Sequence, residues 1–264
     1  MRASRENSWS LAWTTILIVL LTASNAVYGA AEKKPLVLVE LFTSEGCSSC
    51  PAADRLLATL HTSQPVAEAT VVALAYHVDY WDYLGWKDPF GEPAYSQRQR
   101  AYAAMHKEDR VYTPQMMVGG IHGFVGSDRG SANQSITKCA ATPADLLDVD
   151  VVVGEKDGAL KITLRSEVAV GAGSVVWVAL AEDDLVSEVT RGENRGKTLT
   201  HQAVVRAVQQ LPITEDTTLD AQHTLVIPWD AAWQRKHCRV VAVVQSESTG
   251  AVLALGQRSL GASE

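Results

Sequence analysis

One stretch decides the fold of this chain: LFTSEGCSSCP, residues 41–51. The residues that lead into it, 35–42, form a short apolar run bounded by a proline, which predicts a buried strand. Beyond it, alanine and leucine recur at helical spacing from residue 53 to residue 60. We therefore expect Cys47 and Cys50 to open a helix at the C-terminal end of a strand.

The start of a helix favours redox chemistry at these two cysteines. Its unpaired N–H groups carry about half a unit of positive charge, which stabilises a thiolate more than a thiol. We therefore expect Cys47 to have a lowered pKa and to act as the nucleophile. Because the two sulfur atoms lie on the same helical turn, Cys50 can resolve a mixed disulfide that forms at Cys47.

Three other uses of the Cys pair stay open. A zinc site needs two more ligands at short spacing, and the remaining cysteines, Cys139 and Cys238, stand alone. A structural disulfide is the second use, although so small a ring at a helix start is strained and easily reduced. The third is copper handling, in which Met116 or Met117 adds a soft ligand. We predict no metal and no other cofactor.

Length and composition indicate a globular protein of two domains. The chain has 264 residues, of which 47% are apolar and 20% are charged, enough for one large or two modest cores. Its formal net charge is −7, with no run of lysine and arginine, which argues against a nucleic-acid partner. We expect the partners to be proteins or small molecules.

The N-terminus has the pattern of a secretory signal peptide, which we place at residues 1–31. Arg2 and Arg5 precede an apolar segment, and small residues follow it. The apolar segment is short for a membrane span, so we expect none in the mature chain; an uncleaved anchor is the alternative. We predict an exported protein, periplasmic or secreted, in a compartment that permits disulfides.

A second buried strand is predicted at residues 70–76, and the order strand, helix, strand predicts a parallel pair. The residues after this strand then emerge at the same sheet edge as Cys47, where open α/β sheets place their sites. We predict that four of them bind substrate there: His77, Asp79, Tyr80 and Trp81. The alternative is a packed loop, in which the aromatic rings fill a cleft and His77 is structural.

The rest of the first part is predicted to contain helices and a hairpin. A helix runs from about Ala94 to Lys107, with Arg98 on a solvated face. Residues 112–120 form a strand led by Pro114, and residues 121–125 are the return strand. A final helix spans residues 128–141 and carries Cys139.

From residue 148 the pattern changes to short β-rich runs separated by turns. Six runs have the length of strands: residues 148–154, 159–165, 174–181, 218–227, 239–244 and 251–257. A seventh strand is predicted at residues 198–208, after a turn at 192–197. Strands without helices indicate a β-sandwich. We therefore predict an α/β domain at 35–145 and an all-β, sandwich-like domain at 146–264.

Two questions about this second part stay open. Arg195, His201 and Arg206 either face a ligand or the first domain, or belong to a hairpin with solvated charges. Cys139 and Cys238 lie in different predicted domains. Either they form a disulfide that links the two domains covalently, or they are two free thiols.

The Cys-x-x-Cys after the first strand, the strand–helix–strand unit and the Thr113-Pro114 that leads the hairpin resemble the thioredoxin fold. This resemblance implies a thioredoxin-like domain at 35–145, in which Pro114 is a cis-proline that lies against the Cys pair. It also implies that Thr113 offers backbone groups to an extended peptide or a mixed-disulfide partner.

More closely, the chain resembles the secreted thioredoxin-like family known as domain of unknown function 1223. Five stretches carry this resemblance and span most of the mature chain: residues 40–51, 77–82, 85–90, 112–115 and 192–196. Ala52 stands where the family's pattern has a second proline. This departure changes the helix start slightly and removes no reactive group.

Together these features predict an exported thiol–disulfide oxidoreductase that acts on protein or peptide thiols and works with an unidentified redox partner. Cys47 is the nucleophile, Cys50 is the resolving thiol, and Pro114 shapes the substrate groove. The main alternative is a non-enzymatic module in which the β-rich part binds a partner and the Cys pair is a stabiliser or a redox sensor. The direction of electron transfer depends on the reduction potential, which the sequence does not give.

Overall fold

The structure is a computed structural model, and it describes residues 33–153, 159–166, 169–211, 217–219 and 223–261. The predicted signal peptide, residues 1–31, lies outside the described residues. In the described part of the chain, no helix is both long enough and apolar enough to cross a membrane.

The described chain alternates helices and strands up to residue 141 and is almost entirely strands beyond it. The helices are α1 (Cys50–Ser63), α2 (Pro93–His106) and α3 (Arg129–Ala141), with 3₁₀ helices at Asp79–Leu84 and Arg235–His237. The first strands are β1 (Leu36–Thr43), β2 (Thr70–His77), β3 (Gln115–Val118), β4 (His122–Val125) and β5 (Asp145–Leu146). The next are β6 (Asp148–Val153), β7 (Ala159–Arg165), β8 (Ala169–Val170), β9 (Ser174–Glu182), β10 (Leu185–Glu188) and β11 (Thr198–His201). The last are β12 (Val204–Leu211), β13 (Thr217–Thr218), β14 (Thr224–Pro228), β15 (Cys238–Ser246) and β16 (Val252–Ser259).

The strand that leads into the Cys pair has a neighbour on each side. β1 and β2 are parallel, as the sequence predicts, and their last residues, Thr43 and His77, are paired. β3 runs antiparallel along the other side of β1, where Phe42 pairs with Gln115. The sheet therefore brings three chain segments to one edge: the residues after Thr43, those after His77 and those before Gln115.

Strands from both predicted domains form a single mixed sheet of nine strands, in the order β4-β3-β1-β2-β12-β9-β15-β16-β5. β12 joins the two parts because Val204 pairs with Ala75 of β2. The guanidinium of Arg239 also donates to the carbonyl oxygen of Ala73 at 2.6 Å. The predicted boundary near residue 146 thus lies inside one sheet, and Lys34–Glu264 cluster as one compact unit.

Both faces of this sheet are covered. α1 and α3 pack on one face near β1 and β3, and the three-stranded sheet of β14, β7 and β6 packs on the same face near β9 and β15. α2 covers the opposite face, over a core that includes Tyr76, Tyr102 and Trp177. The C-terminal part is therefore two-layered, as a sandwich is, but β9, β12, β15 and β16 belong to the large sheet.

The predicted strand at residues 198–208 is wrong in one respect, because it is two strands. β11 pairs with β10 in a hairpin, whereas β12 turns into the large sheet. The break falls at Ala203, whose φ is +61°. Residues other than glycine seldom adopt this left-handed conformation, so the sequence carries no signal for it.

The prediction of a solvated Arg98 is also wrong. Its side chain is only 17% exposed, and its guanidinium contacts the fully buried carboxylate of Glu40 at 2.7 Å. It also lies over the indole ring of Trp177, 4.0 Å from the ring centre. Glu40 is the charged residue within the apolar run of β1, and a buried carboxylate needs such a partner.

Candidate functional site

The Cys pair lies at the start of α1, as predicted. Ser49 is the N-cap, Cys50 is the first helical residue, and Pro51 sits in the first turn, where its missing N–H costs least. Buried alanine and leucine side chains anchor the helix to the sheet. Both cysteines are free thiols with no exposed surface.

The two thiols have opposite pKa shifts. The pKa of Cys47 is lowered to about 6, chiefly by the hydrogen bond from Cys50. Burial opposes this shift, and the Ser49 hydroxyl, 3.3 Å from the Cys47 Sγ, supports it. Burial raises the pKa of Cys50 well above its ordinary value, and the hydrogen bond and charge of Cys47 raise it further. At neutral pH the pair therefore consists of a Cys47 thiolate and a Cys50 thiol.

A carboxylate lies behind Cys50. The Thr43 hydroxyl donates to the Asp54 Oδ1 at 2.7 Å, and the same hydroxyl partly offsets the raised pKa of Cys50. Burial raises the pKa of Asp54, although the nearby His201 and His77 oppose this shift. Asp54 lies one helical turn after Cys50, so α1 itself places this carboxylate on the side of Cys50.

The loop before β3 forms the other wall of the site. The peptide bond between Thr113 and Pro114 is cis, as the resemblance implies. The carbonyl oxygen of Thr113 lies 3.9 Å from the Cys47 Sγ. The register of β1 and β3 explains this approach, because Phe42 pairs with Gln115 and the residues just beyond each strand end must then meet.

Two of the predicted aromatic residues contact this loop. The Trp81 indole N–H donates to the Thr113 Oγ1 at 2.7 Å. Trp81 also packs against Gly46, where an added Cβ would lie 3.0 Å from the Trp81 Cβ. The Tyr80 hydroxyl donates to Gln99 at 3.1 Å, and burial raises the pKa of Tyr80 to about 12. The structure therefore brings Trp81, Tyr80 and Thr113 around the Cys pair.

His77 and Asp79 are directed to other partners. The His77 Nδ1 lies 2.7 Å from Asp88, and both side chains are fully buried. The Asp79 carboxylate accepts a short hydrogen bond from the Ser96 hydroxyl on α2. His77 is therefore close to the site but paired with Asp88, and Asp79 turns toward α2.

A second buried pair of a carboxylate and an imidazole lies beside the first. The Glu45 carboxylate lies 3.0 Å from the His201 Nε2 and accepts from the Trp86 indole at 2.8 Å, while the Glu45 N–H donates to Asp88 at 2.8 Å. The rings of His77 and His201 meet edge to face, with 4.8 Å between their centres. The His77 Nε2 has no hydrogen-bond partner among the described residues.

The loop between β10 and β11 contacts the Cys-x-x-Cys turn. The Asn194 Nδ2 donates to the carbonyl oxygen of Glu45 at 2.7 Å and to that of Cys47 at 2.9 Å. The Ser48 N–H donates to Glu193 at 2.9 Å. Asn194 itself is fully buried. The β-rich part of the chain thus supplies part of the site, which the predicted division into two domains did not anticipate.

Sequence analysis did not single out Glu45, Asp54 or Asn194 as site residues. Glu45 and Asn194 lie within stretches that carry the family resemblance, and Asp54 is an acid among the apolar residues of α1, four positions after Cys50. Each was thus visible in the sequence, but only the fold places Asn194 within hydrogen-bond distance of the Cys47 carbonyl oxygen.

The two methionines that the copper hypothesis offers as alternative ligands lie on opposite faces of the sheet. Adjacent residues of a strand face opposite sides, and accordingly Met116 packs with α1 and α3 whereas Met117 packs in the core under α2. The other two cysteines, Cys139 and Cys238, are free thiols in different cores. Within the described residues, no group of three or more His, Cys, Asp and Glu side chains is arranged to hold a metal ion.

Comparison with known proteins gives a family and solved structures that are similar to this chain. No curated protein matches the chain. A protein of Agrobacterium tumefaciens whose X-ray crystal structure was solved by a structural genomics consortium is similar, with 26% identity and a TM-score of 0.64. The alignment covers 89% of this chain and 98% of that chain. The family model described as "Protein of unknown function (DUF1223)" matches residues 38–245, so the chain belongs to the DUF1223 family.

Proposed function

We propose that this protein is a thiol–disulfide oxidoreductase of thioredoxin-like architecture that acts on protein or peptide substrates. One observation carries the proposal: two free cysteines at a helix start, the first with a pKa of about 6 and the second with a strongly raised pKa. A two-step exchange needs a nucleophile that is ionised at neutral pH and a second thiol that stays protonated until the mixed disulfide has formed.

In the first step the Cys47 thiolate attacks one sulfur of a substrate disulfide. A bond forms between Cys47 and that sulfur, the substrate's own S–S bond breaks, and the other substrate sulfur leaves as a thiolate. The Thr113 carbonyl oxygen, 3.9 Å from the Cys47 Sγ, lies where it can accept a hydrogen bond from the main chain of the incoming peptide.

In the second step Cys50 loses its proton and attacks the Cys47 sulfur. The Cys47–Cys50 disulfide forms, and the remaining substrate sulfur leaves as a thiolate. The substrate gains two electrons and the protein's dithiol loses them. Asp54 assists through the Thr43 hydroxyl, because a carboxylate with a raised pKa accepts the proton of Cys50 more readily. Run in reverse, the same two steps oxidise a substrate dithiol.

The full burial of Cys47 supports a second candidate, a redox-sensing module that reacts once per molecule. A substrate sulfur reaches Cys47 only after neighbouring groups move, and Trp81, Gly46 and Asn194 all contact the residues around it. A sensor needs that opening once, whereas an enzyme needs it in every cycle.

Reduction of insulin by dithiothreitol, with the purified protein in substoichiometric amounts, tests the proposal. We expect many turnovers per molecule, none for Cys47→Ser, and a trapped mixed disulfide for Cys50→Ser because release requires the second thiol. Cys139→Ser is the matched control and should retain full activity. Equal activity of all three variants contradicts the oxidoreductase, and a single turnover per molecule favours the sensor.

A further inference from the structure

A polar groove with two cationic side chains opens beside the Cys pair, and we propose that it binds an acidic segment of the partner peptide next to the partner's cysteine. The inference rests on the proposed function, because it names the chemical class of that substrate.

The groove lies beside the Cys pair, along residues that flank the two cysteines. It has a volume of about 720 Å³ and is lined by Ser48, Ser49, Pro51, Ala52, Arg55, Ser127, Lys197, Thr198 and Leu199. The Ser49 hydroxyl is also the group 3.3 Å from the Cys47 Sγ. Ser127 follows Gly126, whose N–H donates to the Pro114 carbonyl oxygen at 2.9 Å. A peptide in the groove therefore lies beside the Cys pair, against a residue that contacts Cys47 and next to a residue that contacts Pro114.

The volume and the lining suit a short peptide segment. Sites for small ligands span roughly 300–1,000 Å³, so the groove accommodates a few residues. Four hydroxyl-bearing residues line it: Ser48, Ser49, Ser127 and Thr198. They offer hydrogen bonds to the main chain or to carboxylates, and Leu199 and Pro51 add a small apolar surface.

The charge of the groove is opposite to that of the chain. The whole sequence has 30 acidic and 23 basic residues, yet the charged lining residues are Arg55 and Lys197, with no acid among them. Both are exposed, and neither forms an ion pair within the described residues. Lys197 does donate to the Asn194 Oδ1 at 2.9 Å, but that amide is neutral and leaves the ammonium charge uncompensated.

One carboxylate lies outside the lining but contacts the lining residue Ser48. The Glu193 side chain accepts from the Ser48 N–H at 2.9 Å, and hydrogen bonds from the Ser48 hydroxyl and N–H lower the pKa of Glu193. The wall therefore stabilises a carboxylate at this point, supplied here by the chain itself. An acidic side chain of a partner finds the same N–H and the two cations, and it competes with Glu193 for the N–H.

Binding of three fluorescent peptides tests the inference without relying on redox chemistry. Each peptide has a serine in place of its central cysteine, flanked by glutamates, glutamines or lysines, and binding to the purified protein is followed by fluorescence anisotropy. At low salt we expect the glutamate peptide to bind most tightly. Arg55→Glu should weaken its binding about threefold to fivefold, because an exposed charge pair contributes at most about 1 kcal/mol. The difference should shrink as salt is added.

Two further variants sharpen the test. Arg191→Glu makes the same charge change on an exposed residue of the β10–β11 loop that does not line the groove, and it should leave binding nearly unchanged. Glu193→Gln changes the charge in the opposite direction and should strengthen binding of the glutamate peptide. Equal affinity for the three peptides, or equal weakening by Arg55→Glu and Arg191→Glu, overturns the inference.

Failure of this inference is distinguishable from failure of the proposed function. If insulin is reduced catalytically but the three peptides bind alike, the acidic preference is wrong and the oxidoreductase stands. If the glutamate peptide binds preferentially through Arg55 but no disulfide is turned over, the groove is an acidic-peptide site of a non-enzymatic module.

Discussion

The side-chain amide of Asn194 donates a hydrogen bond of 2.9 Å to the carbonyl oxygen of Cys47, a residue that precedes it by 147 positions. The same amide holds the Glu45 carbonyl oxygen at 2.7 Å. The turn that carries Cys47 is therefore fixed by the β10–β11 loop as well as by its own helix. The β-rich part is thus a structural component of the site.

Asn194→Ala should loosen this turn. Both carbonyl oxygens lose a buried donor, so we expect the free energy of unfolding to fall by about 1–3 kcal/mol and the Cys47 turn to open more often. Alkylation of Cys47 by iodoacetamide should accelerate accordingly. The exposed neighbour Arg195 gives the control, since Arg195→Ala removes no bond to the turn. An unchanged alkylation rate in Asn194→Ala would show that the amide does not restrict access.

The pH dependence of Cys47 alkylation should follow a group with a pKa of about 6. The hydrogen bond from Cys50 is the largest cause of this low value, so Cys50→Ala should move the midpoint upward toward that of an ordinary thiol, about 8.5. Mass spectrometry of the alkylated peptides identifies the reacting cysteine. If Cys50 or Cys139 reacts first, the assignment of the nucleophile is wrong.

Asp54→Asn should slow the second step of exchange but not the first. The variant keeps the size of the side chain and removes the proton acceptor behind Thr43, so release of substrate from the mixed disulfide should slow about tenfold or more near neutral pH. Thr43→Val should behave alike, and Thr43→Ser should retain the rate because it retains the hydroxyl. Alkylation of Cys47 reports the first step, and equal slowing of both steps contradicts the relay.

The buried pair of His77 and Asp88 predicts a pH window of stability. Burial by itself lowers the pKa of His77, but the Asp88 carboxylate outweighs burial, and the net pKa of His77 is raised. Burial by itself raises the pKa of Asp88, but His77 and two backbone N–H groups outweigh burial, and the net pKa of Asp88 is lowered. The Asp88 contribution is present above an unfolded pKa of about 3.9 and is lost as the pH falls through the folded pKa. The His77 contribution is present below an unfolded pKa of about 6.5 and is lost as the pH rises through the folded pKa.

Asp88→Asn should therefore destabilise most between about pH 4 and pH 6.5, by roughly 3 kcal/mol, and less at pH 9. Urea unfolding at several pH values measures this difference. Asp109→Asn, an exposed aspartate without a partner among the described residues, should change stability little at any pH. A destabilisation that does not vary with pH would mean that the pair acts through packing rather than charge.

The sequence predicted the elements that local patterns encode. The apolar run before Cys47 predicted β1, the helical spacing after it predicted α1, and the second apolar run predicted β2. Because β2 is parallel to β1, His77 was expected at the same sheet edge as the Cys pair. The cis bond at Pro114 came only from the resemblance, because a cis X-Pro bond is a minority state that residue types alone do not specify.

The pairings of distant segments could not be predicted in the same way. β9 and β15 are continuous apolar runs buried on both faces, a pattern typical of central strands, but nothing local says that β12 pairs with β2. The environment of Arg98 could not be predicted either. In the sequence it is one of several polar residues of a helix, and only the fold places it against Glu40. Asn194 and His201 likewise reach the site only through the pairing of distant segments, which a single sequence does not show.

The redox titration of the Cys pair tests the central claim most directly. The purified protein is equilibrated with glutathione buffers over a range of potentials, free thiols are alkylated, and the labelled peptides are identified by mass spectrometry. The account predicts that Cys47 and Cys50 lose labelling together in one reversible two-electron transition, at a potential between about −120 and −300 mV, as in known thiol–disulfide oxidoreductases. If the two cysteines stay labelled under the most oxidising buffer, or lose labelling independently of each other, they are not a redox pair and the proposed function is wrong.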